Sequence, residues 1–291
     1  MGYSMRKEYI FILYDLGLSL PALSKLYQHS DEGLLISLLN GNYLDVHMNY
    51  SIFSERDIDL LSQKIKIENA KDNVKRLLER FYNESINYYI YYDEEYPKHL
   101  KCVSDPPFII FVRGDIKLAN SERLVSVVGS RKISLDTQLQ TNKLVKELVG
   151  NNFTTVSGLA FGTDILVHRE TIRQKGKTIA VIPSTIFEIQ PKTHRKDAEI
   201  IIGSGGAIIS EYYKDPNLNR FAYIHRNRII SGISPCLLIT ECTEKSGTMH
   251  TARFAYKQMR KIFCLKNDSS GVQKIIDSNS AIFYNGINNL L

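Results

Sequence analysis

Small residues recur at three points where an apolar run gives way to a helical pattern: Gly129-Ser130-Arg131, Ser157-Gly158-Leu159 and Ser246-Gly247-Thr248. Glycine lets the backbone approach an anion closely, and the free N–H groups at a helix start point toward it, where the helix dipole adds roughly half a positive charge. Taken alone, each loop is more typical of a tight strand-to-helix turn with a small capping residue. Three such loops in neighbouring positions predict a shared phosphate-binding cleft, in which Arg131 and the hydroxyl groups supply further donors.

Two basic segments accompany these loops. QPKTHRKD contains Lys192, His194, Arg195 and Lys196, and NRFAYIHRNR contains Arg220, His225, Arg226 and Arg228. Either segment could be a solvated polar surface. However, Arg226-Asn227-Arg228 precedes the apolar IISGIS and is expected at a helix start, where a solvated helix would favour acidic residues. The sequence therefore predicts cations beside the phosphate-binding loops.

Aromatic residues lie among these charges, at Phe161, Phe187, Phe221 and Tyr223. For any single aromatic residue, core packing is the more common role. Rings interleaved with cations nevertheless suit unpaired nucleobases, which stack on them. The combination favours a polyanion that also carries flat rings.

The sequence contains neither GxxxxGK[ST] nor, after the first strand pattern, GxGxxG, so an ATPase or a standard NAD enzyme is disfavoured. His168 has no evident nucleophile partner and is expected to pack at the rim of the sheet. The four cysteines show no metal-ligand spacing. We therefore expect no catalytic residue, no metal and no cofactor.

Charge and hydropathy set only broad limits. Lys and Arg number 37 against 31 Asp and Glu, a formal net charge of +6, which is compatible with a polyanion partner but common in other proteins. The apolar start YIFILYDLGLSL is interrupted by Asp15 and is too short to span a bilayer. A cytoplasmic protein without a membrane contact is expected.

The pattern of apolar residues changes near residue 87. Residues 1–86 show apolar residues at helical spacing and predict a small all-helical domain. In 87–291 short Val- and Ile-rich runs alternate with helical patterns, which is typical of βαβ units. The predicted strands are 124–130, 153–158, 178–184, 207–212, 236–242 and 261–266, with FIIFVRG before them as a connector or edge strand.

Because these runs are continuously apolar, both faces of the sheet should be covered by helices. The predicted fold is therefore α/β, an extended Rossmann-like, doubly wound and mostly parallel sheet, with the small helical domain before it. Ligands of such sheets bind beyond the carboxyl ends of the strands, where the three loops are expected.

Several segments, in this order and spacing, resemble the DNA-processing protein A (DprA, or Smf) family: VVGSRKIS, VSGLAFGTDILVH, TIAVIPS, IISEYY, RNRIISGIS and SGTMHTARFAYKQMRKIFCLK. The resemblance implies a sterile-alpha-motif-like N-terminal domain and an extended Rossmann domain. It further implies a homodimer that binds single-stranded DNA and loads the RecA recombinase during natural transformation. No enzymatic activity is expected.

The resemblance also transfers DNA-binding roles to particular residues. The family's GSR loop falls on Gly129, Ser130 and Arg131, its YPxxN lysine on Lys192, and its RNR motif on Arg226, Asn227 and Arg228. With the other loops and the first basic segment, the remaining expected contacts are Ser157, Gly158, Leu159, Arg195, Gly247 and Thr248.

This chain departs from the family pattern in two of its motifs. GLARGID reads GLAFGTD, so Phe161 stands where the family has arginine. YPxxN reads QPKTH, which replaces the aromatic residue by Gln190 and the asparagine by His194.

Two alternatives remain at this stage. A nucleotide phosphoribohydrolase-like enzyme would need the glutamate of a GGxGTxxE loop, but Thr251 stands at that position. Glu211 and Glu241 remain as possible catalytic acids, but they are equally suited to capping loops or orienting arginines. A nucleotide-sensing module would explain the loops, although one mononucleotide could not use both basic segments.

Overall fold

The computed structural model describes residues 5–290, which belong to two compact units, Met1–Ser85 and Ile86–Leu291. The division lies beside the change of pattern near residue 87. Within the described residues, no helix is both long and apolar enough to span a bilayer.

The first unit is helical. Its helices are α1 (Met5–Leu16), α2 (Leu20–His29), α3 (Glu32–Leu39), α4 (Tyr43–Tyr50), α5 (Glu55–Ser62) and α6 (Lys64–Asn83). Phe11 of α1 and Phe81 of α6 are fully buried and stack with ring centroids 6.1 Å apart. Burial of these large rings joins the first and last helices of the unit.

One buried carboxylate links two helix starts in this unit. Asp57, in the first turn of α5, accepts hydrogen bonds from the backbone N–H and Oγ of Ser19, at 2.7 and 2.8 Å, and from those of Ser54, at 3.0 and 2.7 Å. Ser19 and Ser54 are the N-caps of α2 and α5. Burial raises the pKa of the Asp57 carboxyl, but these hydrogen bonds outweigh burial and leave the pKa below its ordinary value.

Replacing this carboxylate should weaken the helical unit in a pH-dependent way. Asp57→Asn keeps the volume but removes an acceptor, so at pH 7 it should lower the free energy of unfolding by about 1–3 kcal/mol. Because the folded-state pKa is depressed, the stabilisation is present above the ordinary pKa of about 3.9 and is lost as pH falls below it. The deficit of the variant should therefore shrink at pH 3.

Hydrogen exchange of peptides from α2 and α5, measured in rising urea at both pH values, checks this expectation. Asp59→Asn is the matched control, since Asp59 is exposed on the same helix. An equal deficit at pH 7 and pH 3 would contradict the ionic role of Asp57.

The second unit alternates strands and helices. Its strands are β1 (Ile86–Ile90), β2 (Ile109–Gly114), β3 (Leu124–Val128), β4 (Thr154–Ser157), β5 (Thr178–Thr185), β6 (Ala207–Tyr212), β7 (Cys236–Ile239), β8 (Lys261–Cys264) and β9 (Ile282–Phe283). Its helices are α7 (Lys98–Lys101), α8 (Leu135–Gly150), α9 (Thr163–Arg173), α10 (Arg195–Gly203), α11 (Arg220–Gly232), α12 (Gly247–Lys257) and α13 (Ser270–Asp277).

These strands form one sheet in the order β1-β2-β6-β5-β4-β3-β7-β8-β9. All neighbouring strands in the part of the sheet that runs β6-β5-β4-β3-β7-β8-β9 are parallel. In contrast, β2 pairs antiparallel with both β1 and β6. All five residues of β3 are buried, because helices cover both faces of the sheet. The Rossmann-like, mostly parallel fold predicted from the sequence is confirmed.

Two edges of the sheet differ from the prediction. FIIFVRG, expected as a connector or edge strand, forms β2 inside the sheet, because the tyrosine-rich INYYI before it pairs along its outer side as β1. Side chains of β1 alternate between buried and half-buried, and its tyrosines and asparagine conceal that alternation in the sequence. The two-residue β9 also gave no sequence signal.

Candidate nucleic-acid interface

A cleft of about 870 Å³ lies at the carboxyl ends of β3 and β7, with α11 along one side. From β3 the chain passes through α8 to β4 on one side, while β7 lies on the other, so the strand order reverses here. Such a switch point is the usual ligand site of an open α/β sheet. The predicted loops at 129–131 and 246–248 both contribute to the cleft wall.

The first loop is packed too closely for any side chain at residue 129. A Cβ on Gly129 would lie 2.2 Å from Thr240 Oγ1 and 2.3 Å from Thr163 Oγ1, and these two hydroxyls share a hydrogen bond of 2.9 Å. Thr248 Oγ1 donates to the Gly129 carbonyl at 2.9 Å. The starts of α9 and α12 are thereby held against the loop that follows β3.

Glu241 braces the same loop from the end of β7. Its backbone carbonyl accepts from the Ser130 N–H at 2.7 Å, and its carboxylate accepts from Ser134 N–H and Oγ at 3.1 and 3.0 Å. Burial raises the pKa of Glu241, but hydrogen bonds from Thr137 and Ser134 outweigh it and hold the pKa below the ordinary value. Glu241 is therefore ionised and caps the loop that follows β3. Capping a loop was one of the two structural roles that the sequence left open for it.

Exposed cations line the mouth of the cleft. Arg131 is exposed, and its guanidinium carbon lies 5.4 Å from the centroid of the Tyr223 ring, which orients it by a cation–π contact. Lys132 and Arg220 are also exposed and border the cleft. Lys132 was not among the site residues predicted from the sequence, although its position directly after Arg131 was an available signal.

The second loop, 157–159, lies under the protein surface next to the cleft. Ser157, Gly158 and Leu159 are buried, and Ser157 Oγ donates to the Val127 carbonyl at 2.7 Å. The side chains of Ser157 and Leu159 are thus directed into the protein, and the predicted contacts of this loop with DNA would have to come from its backbone. The exposed residue of this loop is Phe161.

Lys192 and Arg195 extend the row of cations along the rim. Both are exposed, at the end of the segment that follows β5. His194 between them is buried and donates from Nδ1 to the Leu159 carbonyl at 2.8 Å, which fixes this segment against the second loop. Since β4 separates β5 from β3, these cations lie beyond the second loop as seen from Arg131.

The Arg-Asn-Arg motif does not lie at a helix start, as the sequence predicted, but in the middle of α11. Arg226 is only 3% exposed and donates from Nη1 to the carbonyls of Gly158 and Val181. A Cβ on Gly158 would lie 2.6 Å from both Arg226 Nη1 and Asp164 Oδ2, so the arginine and the carboxylate are near each other on the same side of this glycine.

The two buried charges stabilise each other. Burial lowers the pKa of Arg226 to about 10, and Asp164 opposes that shift, so the guanidinium stays charged at neutral pH. Burial raises the pKa of Asp164, while Arg226 and the amides of Ala160 and Gly158 act in the opposite direction. The contacts of Arg226 are therefore those of a brace between the second loop and β5.

Arg228 is also buried, at 4% exposure. It donates from Nη2 to Glu211 Oε1 at 2.6 Å, and its Nε lies 3.1 Å from Asp105 Oδ2. Glu211 thus orients an arginine, the other role left open for it. Asn227 is half-buried and lies at the cleft wall. Arg226 also borders the cleft, but Asn227 is the more exposed of the two.

The third loop opens α12 at the cleft. Gly247 is exposed with open space where a Cβ would lie, so its contribution is a free N–H at the helix start and not a steric requirement. Thr248 is buried, and its hydroxyl donates to the Gly129 carbonyl. The loop therefore offers backbone donors, while its threonine joins it to the first loop.

His168 is fully buried and shares a 2.7 Å hydrogen bond with Thr178 Oγ1, so it is packed as expected, but at the amino end of β5 and not at the rim. Burial lowers its pKa to about 3, so it is neutral at physiological pH. Within residues 5–290 no cluster of metal-ligating side chains occurs.

Residues 87–291, more than two thirds of the chain, match the family model described as DNA recombination-mediator protein A. The chain belongs to this family. The match covers every loop of the cleft and confirms the resemblance found in the sequence.

Curated relatives carry the same family names. The DNA processing protein DprA of Bacillus subtilis is 32% identical over 202 residues, which cover 69% of this chain and 68% of that protein. Protein Smf of Escherichia coli is 35% identical over 172 residues, 59% of this chain and 46% of that protein. This chain thus spans between about half and two thirds of the relatives it matches.

Solved structures of two members resemble this one. DNA processing protein A of Streptococcus pneumoniae is 23% identical with a TM-score of 0.71, covering 98% of this chain and 96% of that chain. The protein from Helicobacter pylori is 30% identical with a TM-score of 0.62, covering 70% and 93%, and its structure concerns a single-stranded DNA binding mode. The first comparison supports the fold along nearly the whole chain.

Because Arg226 is buried, we expect its replacement to lower mainly the stability of the protein. Arg226→Met should lower the free energy of unfolding by about 3–5 kcal/mol, because it leaves Asp164 buried without its partner. Arg131→Ala, at an exposed position, should change it by less than about 0.5 kcal/mol. Chemical denaturation of the full chain measures both.

A second variant separates charge from packing. Adding Asp164→Asn to Arg226→Met should cost less than the sum of the two single changes, because the unpaired charge is removed. Wild-type stability of Arg226→Met would contradict the role of Arg226 as a brace.

Proposed function

We propose that the cleft binds single-stranded DNA through its phosphates. The observation that carries this proposal is the row of exposed cations beside free helix-start amides, with Arg131 held over Tyr223 at the switch point of the sheet. Backbone donors and guanidinium groups bind phosphate oxygens well, and neither reads a sequence. We therefore expect broad tolerance of base sequence.

The strand follows the carboxyl rim of the sheet. Phosphates lie against the first and third loops, where Gly129, Gly247 and the Arg131 guanidinium provide donors, and continue toward Lys192 and Arg195. Asn227 adds a polar side chain at the cleft wall. Arg226, Arg228 and the second loop keep this surface in place without requiring contact with the strand themselves.

Family membership supports the wider role. As a member of the DNA recombination-mediator protein A family, the chain is proposed to act as a homodimer that protects incoming single strands and loads RecA during natural transformation, without catalysis of its own. Sedimentation velocity of the purified chain tests the dimer. RecA-mediated strand exchange on DNA coated with single-strand-binding protein tests the loading step.

Removal of the central cation should weaken binding to every sequence. Arg131→Ala should lower the affinity for an oligothymidine about 10- to 150-fold, since a charge-assisted hydrogen bond contributes about 1.5–3 kcal/mol. The slope of log affinity against log salt should become shallower by about 0.7, because one phosphate is no longer neutralised. Fluorescence anisotropy at several salt concentrations measures both quantities.

Arg123→Ala is the matched control. Arg123 is exposed but precedes β3, at the opposite end of the strand from Arg131, where it donates to the Asn151 carbonyl at 2.8 Å. It should bind as wild type does. Equal affinities of the Arg131 and Arg123 variants would place the strand elsewhere.

Mononucleotides should compete poorly with the oligonucleotide. A single nucleotide occupies only the cleft, whereas a strand also reaches Lys192 and Arg195, so millimolar ATP or AMP should leave most of an oligothymidine bound. Anisotropy competition measures this. Displacement at micromolar mononucleotide would instead support a nucleotide-sensing module.

A further inference from the structure

Phe161 is an aromatic side chain that the fold leaves open to solvent. It lies in the loop between β4 and α9 and is 49% exposed, although Leu159 two residues earlier is fully buried. A large apolar ring at such a position forgoes the stabilisation that burial would give it. Packing of the core therefore does not account for the ring.

The backbone places this ring beside the first loop. Gly162, the next residue, has φ +75°, and a Cβ there would lie 2.3 Å from the Ser130 carbonyl oxygen and 2.5 Å from the carbonyl carbon of Arg131. The two loops thus touch at residue 162. Phe161 is consequently next to the segment that carries Arg131.

On its other side the ring is held by the segment that follows β5. Its centroid lies 4.7 Å from that of the His194 ring, at an angle of 59°. His194 is itself buried and hydrogen-bonded to Leu159, so it is a fixed support. A ring anchored on one side and open to solvent elsewhere loses little side-chain entropy when a flat ligand stacks on it.

Exposed cations stand on both sides of the ring. Arg131 belongs to the loop that touches Gly162, while Lys192 and Arg195 flank His194 in sequence. A ligand that crosses Phe161 from one group to the other must carry negative charge at intervals. To contact the ring between them it must also present a flat, apolar surface.

We infer that Phe161 is a stacking platform for one unpaired nucleobase, located between the phosphate contacts at Arg131 and at Lys192. This inference rests on the proposed function and adds a base-binding position to it. Stacking accepts any of the four bases because each has a π-face, but it requires that a base be present. It involves no phosphate and therefore adds nothing to the salt dependence of binding.

The first test compares Phe161 variants on intact and abasic DNA. Phe161→Ala should lower the affinity for an oligothymidine about 5- to 150-fold, the range that corresponds to one stacked base, with an unchanged salt slope. Phe161→Leu keeps apolar bulk without the ring face and should be nearly as weak. Phe161→Tyr should retain the affinity.

An abasic scan supplies the matched ligand. Moving one abasic site along the oligonucleotide should reveal a position that weakens wild type but not Phe161→Ala, because the variant has no ring on which that base could stack. Full affinity of Phe161→Leu, or the same abasic sensitivity in Phe161→Ala as in wild type, would overturn the inference. Thermal melts of each variant confirm that the comparison is between folded proteins.

The absence of tryptophan from this chain allows a direct readout. Phe161→Trp introduces a single tryptophan whose emission should be quenched saturably by an oligothymidine, and less by one abasic at the sensitive position. Tyr256→Trp is the control, since Tyr256 is 65% exposed and lies about 13 Å along α12 from the cleft end of that helix. Equal quenching at both positions, or none at Phe161→Trp, would contradict stacking.

The outcomes separate this inference from the function on which it rests. If Arg131→Ala loses affinity and salt slope while Phe161→Ala binds as wild type does, the cleft binds the strand but Phe161 is not a platform. If the wild-type chain ignores single-stranded oligomers at low salt, both claims fail together.

Discussion

The loops at the carboxyl rim of the sheet depend on the interactions of one buried group, the guanidinium of Arg226. It reaches from α11 to the second loop, donates to the carbonyls of Gly158 and Val181, and lies near Asp164, which stabilises its charge. A charge at this depth is tolerated only because its partner and its hydrogen-bond acceptors are supplied by the elements that it joins. The second loop in turn touches the first at Gly162, so the position of Arg131 depends indirectly on this brace.

The cations of this protein thus divide into two groups. Arg226 and Arg228 are buried and donate to protein carbonyls or carboxylates, although Arg228 Nη1 has no hydrogen-bond partner, whereas Arg131, Lys132 and Lys192 are exposed. Only exposed cations can exchange water and counterions for phosphate without leaving a buried acid unpaired. The basic motifs of the sequence therefore contain two kinds of cation, and only the exposed kind is available to a phosphate.

Much of the fold could be predicted from the sequence because its strands are buried on both faces. β3 and β5 through β8 begin at the predicted residues, since continuous apolar runs allow little uncertainty. The ends of β3, β7 and β8 were placed too late, because the residues after these strands belong to the loops at the rim. β1 escaped prediction because a half-buried edge strand rich in tyrosine has no clear apolar pattern.

The site was less accessible to sequence reasoning because burial is a tertiary property. Nothing in RNR distinguishes a buried arginine from an exposed one; Asp164 and Glu211, which neutralise the two arginines, are far from them in sequence. The sequence singled out the glycine of the first loop for close approach of an anion, whereas the structure shows two threonine hydroxyls where its Cβ would lie. Phe161 was recognised as a departure from the family pattern, but its exposure, its support by His194 and its place beside the first loop, which suggest a use for it, are tertiary properties.

A crystal structure of the chain bound to an oligothymidine would show directly whether the rim holds the strand. We expect a phosphate within hydrogen-bonding distance of the Arg131 guanidinium and of the amides that open α12, with the backbone continuing toward Lys192. A strand bound on another surface, with the cleft between β3 and β7 left empty, would contradict the proposed binding site.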